Sequence, residues 1–144
     1  MLQKSNLAGF DGLGFGRCYG RERDRTMYVA GFVIPVPADK LEAYRKWAQT
    51  SAAFFQEYGC LEIVESWEDK VPTGKVTDFR RAVDAKDGEK IVFSWQIWPS
   101  KQALEEAEEK MHQDPRMEAS GEIPFDAKRL IVGCFSPIHT MGRD

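Results

Sequence analysis

The sequence predicts an α+β fold of the ferredoxin-like type, βαββαβ, with a four-stranded antiparallel sheet. Two stretches, 38–58 and 101–113, carry apolar residues at the helical spacing of three and four. Four β-rich runs, 28–36, 60–67, 90–98 and 128–135, are arranged around them and bounded by proline, glycine or charged turns. The resulting order of strand, helix, strand, strand, helix, strand describes two interlocked βαβ-type halves with both helices on one sheet face and right-handed crossovers.

Each element has a local cause. The first strand opens at Met27 and stops at Pro35 and Pro37. In the first helix Leu41, Tyr44, Ala48, Ala52 and Phe55 form one stripe, Asp39 and Glu42 suit its positive end, and Gly59 is a C-cap. The second strand places Leu61, Ile63 and Trp67 on one side. A long connection, 68–89, follows, with turn signals at Val71-Pro72-Thr73-Gly74 and Lys86-Asp87-Gly88-Glu89. Pro99 ends the third strand and Ser100 caps the second helix, whose stripe is Leu104, Ala107 and Met111. Asp114-Pro115 starts a short helix closed by Gly121, and Pro137 ends the last strand. Residues 1–26 are rich in glycine and arginine and lack any sustained period. They read as a flexible extension outside a single domain over 27–144.

Strands three and four are apolar on both sides: Ile91, Phe93, Trp95 and Ile97 against Val92, Ser94, Gln96 and Trp98, then Leu130, Val132 and Cys134 against Ile131, Gly133 and Phe135. Two helices cover one face of the sheet only. A bare apolar face is an interaction surface, and a symmetric homodimer with the sheets stacked face to face covers it.

Composition narrows the function classes. The 144 residues carry a net charge of −3, with 20 basic residues interspersed among 23 acidic ones. That pattern lacks the clustered Lys and Arg of a nucleic-acid face. No run approaches the roughly 20 apolar residues of a membrane span. Three cysteines, Cys18, Cys60 and Cys134, form no close pair, which fits a reducing cytoplasm rather than a disulfide framework. His112 and His139 are too few and too isolated to build a metal site, so no metal and no cofactor is expected. A haem-handling role would require one of them as an axial ligand.

The stretch Lys75 to Val83 concentrates an acid, two guanidinium groups and an aromatic inside the long connection. Asp78 either caps a turn and pairs with an arginine or acts as a general base after burial raises its pKa. Arg80, Arg81 and Arg116 are candidates for clamping an anionic ligand. Trp67, Trp95 and Trp98 are either core residues or a stacking wall for a flat ligand. The charged cluster Asp126, Lys128 and Arg129 suits a dimer-interface ion pair or a ligand site.

Six ordered motifs carry a resemblance: Phe32-Val33-Ile34-Pro35-Val36-Pro37; Val71-Pro72-x-Gly74-Lys75-x-Thr77-Asp78-Phe79-x-Arg81-Ala82-Val83; Val92-Phe93-Ser94-Trp95; Trp98-Pro99-Ser100; Asp114-Pro115-Arg116-Met117; and Pro124-Phe125-Asp126-x-Lys128-Arg129. Over 27–138 the chain resembles the YbaA-like family of small bacterial proteins (domain of unknown function 1428). Ala30, Lys70 and Cys134 depart from its pattern. The resemblance implies the dimeric α/β-barrel superfamily, which includes cofactor-independent monooxygenases and lactone isomerases, and it singles out Arg81 within its motif. Two readings follow: a cofactor-independent enzyme on a small aromatic or lactone-like compound, with Asp78 and Arg81 as catalytic residues, or a non-catalytic dimer that binds an anionic metabolite or a protein partner.

Overall fold

The computed structural model describes residues 27–117 and 121–142. The glycine-rich stretch 1–26 and Cys18 lie outside the described residues. The chain builds strand β1 (Tyr28–Pro37), a 3-10 turn (Ala38–Lys40), helix α1 (Leu41–Glu57) and strand β2 (Glu62–Trp67). Then come a four-residue helix α2 (Phe79–Ala82), strand β3 (Glu89–Trp98), helix α3 (Lys101–Gln113), a 3-10 turn (Pro115–Met117) and strand β4 (Ile131–Phe135). The sheet order is β2-β3-β1-β4 and every pairing is antiparallel. This is the ferredoxin-like α+β arrangement.

Some boundaries differ from the sequence reading, for local reasons. The first helix is preceded by a 3-10 turn, because Pro37 leaves no side-chain cap and the chain tightens before α1 begins. The last strand starts at Ile131 instead of residue 128. There, Asp126 accepts a hydrogen bond from the Lys128 amide (3.0 Å), and its carbonyl accepts one from the Arg129 amide (3.2 Å), which holds 126–129 in a turn. The long connection contains α2, nucleated by Asp78. Of the short helix expected after Asp114, residues 115–117 form one 3-10 turn, and 118–120 lie outside the described residues.

Alternation along β1 sends Tyr28, Ala30, Phe32, Ile34 and Val36 into the core beneath the helices. Val92 and Trp98 of β3 and Leu104, Ala107 and Met111 of α3 complete it. Trp98 is fully buried, edge-on to Phe55 with ring centroids 6.2 Å apart, and its indole N–H donates to Gln96 Oε1 at 2.9 Å. Cys60 is buried, its thiol donating to the carbonyls of Glu62 and Ile97, and burial pushes its pKa up to about 11, so it is an unreactive core thiol.

The opposite sheet face carries neither of the two long helices. Phe93 is 46% exposed and Phe135 60%. Register pairs Gly31 with Gly133 beneath the Phe135 ring, where a Cβ on Gly133 would meet ring carbons at 2.9–3.0 Å. The two glycines let that ring lie flat on the sheet. Phe79 of α2 packs edge-on against Phe93 (5.9 Å), and Phe93 in turn contacts Trp95 (5.8 Å).

Candidate functional site

The residues singled out in the long connection are committed to holding that connection in place. Asp78 caps α2: its carboxylate accepts from the Arg81 amide at 2.8 Å and the Gly74 amide at 3.1 Å, with the Arg81 guanidinium at 3.5 Å. The Arg81 amide, helped by those of Gly74 and Arg80 and by the Arg81 charge, holds the carboxyl below its ordinary value. The condition for Asp78 to serve as a general base, a pKa raised by burial, is therefore not met. Gly74 has no room for a side chain, since a Cβ there would sit 2.0 Å from the Thr77 carbonyl oxygen. Arg81 reaches the Lys75 carbonyl at 3.4 Å, and Arg80 donates to the carbonyls of Glu89 (2.9 Å) and Lys86 (3.0 Å) while pairing with Glu68.

Arg116 is likewise engaged. It forks onto Asp114 (2.7–3.1 Å), reaches Glu57 at 3.0 Å and stacks 5.0 Å over Phe54. The Arg116 guanidinium and the Tyr58 hydroxyl, which also donates to Asp114, pull the Asp114 carboxyl far below the usual carboxylate range. Arg129 makes a bidentate pair with Glu89 (2.7 Å to each oxygen), holds Asp126 at 3.0 Å and donates to the Asp84 carbonyl. With side chains only 16% and 8% exposed, Arg129 and Glu89 pin the β4 turn to the start of β3 within one chain. Within the chain the Arg129–Glu89 pair is thus an internal tie. Trp98 is core, Trp95 lies on the open sheet face beside Phe93 and 3.4 Å from Glu62, and Trp67 lines a cavity.

That cavity is where chemistry-bearing side chains converge. Register places Glu65 of β2 opposite Ser94 of β3, and Ile63 opposite Gln96. Alternation turns Ile63, Glu65 and Trp67 to the helix side. There α1 does not seal the sheet, because the residues it presents at 48 and 52 are alanines. An outer hollow of about 290 Å³ is walled by Leu41, Tyr44, Ile63, Glu65 and Trp67 with Arg45 at its edge. A smaller inner hollow of about 40 Å³ lies among Phe32, Ile34, Phe55, Phe125 and Leu130, with Ser94 and Gln96 on its sheet wall. Glu65 borders both.

Glu65 combines two properties that rarely coincide: solvent reaches it, yet protein crowds it on most sides. Its carboxylate accepts from the Tyr44 hydroxyl at 2.7 Å. Crowding raises its pKa, against the hydrogen bonds from Tyr44 and Ser94 that favour the anion. Tyr44 is itself buried, and burial together with the neighbouring carboxylate pushes its hydroxyl far above its ordinary value, so it remains a donor. Trp47, in the wall of the inner hollow, packs edge-on against Phe125 (5.1 Å), and its buried indole nitrogen has no hydrogen-bond partner. An unpartnered buried donor is costly.

The sequence reading missed this group. The signal available was Glu65 itself, a carboxylate set between the inward-facing Ile63 and Trp67. Among the described residues no group of three or more His, Cys, Asp or Glu is placed to hold a metal ion, and no helix is long and apolar enough to cross a membrane.

The raised carboxyl sets a pH signature. A folded-state pKa above the unfolded value means that the folded chain holds the proton more tightly, so ionisation of Glu65 detracts from stability as pH rises through that window. Glu65→Gln is expected to gain melting temperature relative to the wild type as pH rises above about 4, the ordinary range of a glutamate. Thermal melts at several pH values check this; a difference that does not change with pH contradicts it.

Comparison with known proteins gives the following. The family model described as a protein of unknown function (DUF1428) matches residues 27–127. The uncharacterized protein YbaA of Escherichia coli (strain K12) is 54% identical over 112 residues, 77% of this chain and 96% of that protein. Its counterpart in Shigella flexneri matches to the same extent. Among solved structures, SnoaB, a cofactor-independent oxygenase from Streptomyces nogalater, superposes with a TM-score of 0.48 at 15% identity, covering 83% of this chain and 100% of that one.

Proposed function

The chain belongs to the DUF1428 family, and from that premise we propose that it is a cytoplasmic homodimer that binds a small, neutral, protic metabolite in the cleft beside Glu65. We read it as an enzyme that moves a proton there without a cofactor. The observation that carries this is Glu65 itself, open to the cleft, crowded by protein and held by Tyr44 at 2.7 Å. A carboxyl whose pKa is shifted toward neutrality is matched to taking a proton from a bound acid and returning it. That step is common to isomerase-like and monooxygenase-like chemistry.

The cleft favours a neutral ligand over an anion. A second negative charge beside Glu65 would be repelled; Arg80, Arg81 and Arg116 are each bonded elsewhere, and Arg45, which lines the outer hollow, is paired with Glu42 at 2.6 Å. Trp67 and Tyr44 supply aromatic wall, so a ring is accommodated. The homodimer reading rests on the uncovered sheet face, where exposed Phe93, Ile131 and Phe135 offer an apolar surface that a second copy would cover. The buried thiol of Cys60 is compatible with a reducing compartment.

Phenol serves as a minimal neutral, protic probe. Calorimetric titration is expected to show binding that Glu65→Gln weakens about tenfold or more, since a hydrogen bond to a charged acceptor is worth roughly 1.5–3 kcal/mol. Equal affinity for both proteins would overturn the assignment of Glu65.

A further inference from the structure

The two hollows share four wall residues, Ala48, Ala52, Ile63 and Glu65. Ala48 and Ala52 are four apart on α1 and so lie on one helix face. They are the smallest residues of a stripe that otherwise carries Leu41, Tyr44 and Phe55. A methyl group at both positions leaves a gap between helix and sheet, directly above Glu65.

We propose that the outer and inner hollows are two ends of one binding site, joined past Ala48 and Ala52. Its ligand carries a ring in the outer hollow, a protic group on Glu65 and a short apolar arm in the inner hollow. The inference deepens the reading of Glu65 as the ligand-contacting group and rests on it.

Size and polarity divide the ligand in this way. The outer hollow, about 290 Å³, is large enough for a substituted ring. The inner one, about 40 Å³, holds about three water-sized groups and no ring. Phe32, Ile34, Phe55, Phe125 and Leu130 make most of its wall apolar, with Ser94 and Gln96 on the sheet side, so an alkyl arm lying against the apolar wall is favoured over water there. Glu65 borders both ends, which sets the protic group next to the arm on the ring. Ala48 and Ala52 are therefore the specificity-determining residues: their size decides whether the arm can pass.

The test uses phenol and its 2-methyl, 2-ethyl, 2-propyl and 2-butyl derivatives, which hold the hydroxyl and the arm on adjacent ring carbons. In the wild type, affinity is expected to rise about fourfold per carbon up to about three carbons, then to stop rising. In Ala48→Leu and Ala52→Leu, two separate variants, the ratio of 2-propylphenol to phenol affinity is expected to collapse toward one, whatever happens to phenol itself. Circular dichroism melts identify a variant that fails to fold, and the other then carries the test. A ratio near one in the wild type, or a full ratio in both folded variants, overturns the joined site while leaving Glu65 in place. Phenol binding indifferent to Glu65→Gln overturns the underlying reading instead.

Discussion

Trp98→Ala is expected to cost about 3–5 kcal/mol, a large share of the roughly 5–15 kcal/mol that stabilises a typical domain. Trp98 has no solvent exposure, and its loss would open a cavity against Phe55, which meets it edge-on. The cost does not stop at volume. The Trp98 indole N–H fixes Gln96 at 2.9 Å, and Gln96 forms part of the polar wall of the inner hollow. Removing the indole leaves that buried amide short of a partner, which adds a desolvation cost. Thermal denaturation should show a melting temperature lower by about 10 °C or more. Trp98→Phe keeps most of the volume and should lose less. A melting temperature within two or three degrees of the wild type in the alanine variant would mean that this indole is not a keystone of the core.

The second large effect concerns assembly. Phe93→Asp combined with Phe135→Asp is expected to convert the protein from a dimer into a monomer. Both rings project from the uncovered sheet face, 46% and 60% exposed, so their replacement leaves the helix-side core intact. A face-to-face dimer would bury both positions in each subunit, and burying unpaired carboxylates costs several kcal/mol. Light scattering at micromolar concentration should give twice the chain mass for the wild type and 16.4 kDa for the variant. A wild type already at 16.4 kDa would remove the homodimer from the account.

Much of the fold was legible because its causes are local. Pro37, Gly59 and Pro99 punctuate the chain, and Ser100 caps α3 by accepting from the Ala103 amide at 3.0 Å. Asp78 followed by a short basic run was legible as a turn cap as well as a base, and the capping reading describes its hydrogen bonds. The cleft was not legible for the opposite reason. Glu65 acquires its environment from Tyr44, 21 residues earlier, and from Ser94, which β2–β3 register places across from it. Neither relation can be read from spacing. Ser94 and Gln96 alternate with Val92 and Trp98, so sequence alone cannot say whether they dilute a core or line a hollow. Arg80 and Arg81 donate to carbonyl oxygens, of Lys86, Glu89 and Lys75, which any residue carries, so spacing gave no sign of these partners. The Arg129–Glu89 pair that ties the 126–129 turn to β3 forms across 40 residues.

The four tryptophans give the most direct test of the cleft as the ligand site. Trp47 and Trp67 line it, Trp95 sits on the open sheet face, and Trp98 lies in the core. Their indole N–H signals in a ¹H–¹⁵N correlation spectrum, assigned by single Trp→Phe variants, report four separate places. On titration with 2-propylphenol the Trp47 and Trp67 signals are expected to move together, and the movement should weaken in Glu65→Gln. Movement of the Trp95 signal alone, or of Trp47 and Trp67 equally in wild type and variant, would contradict Glu65 as the centre of the site.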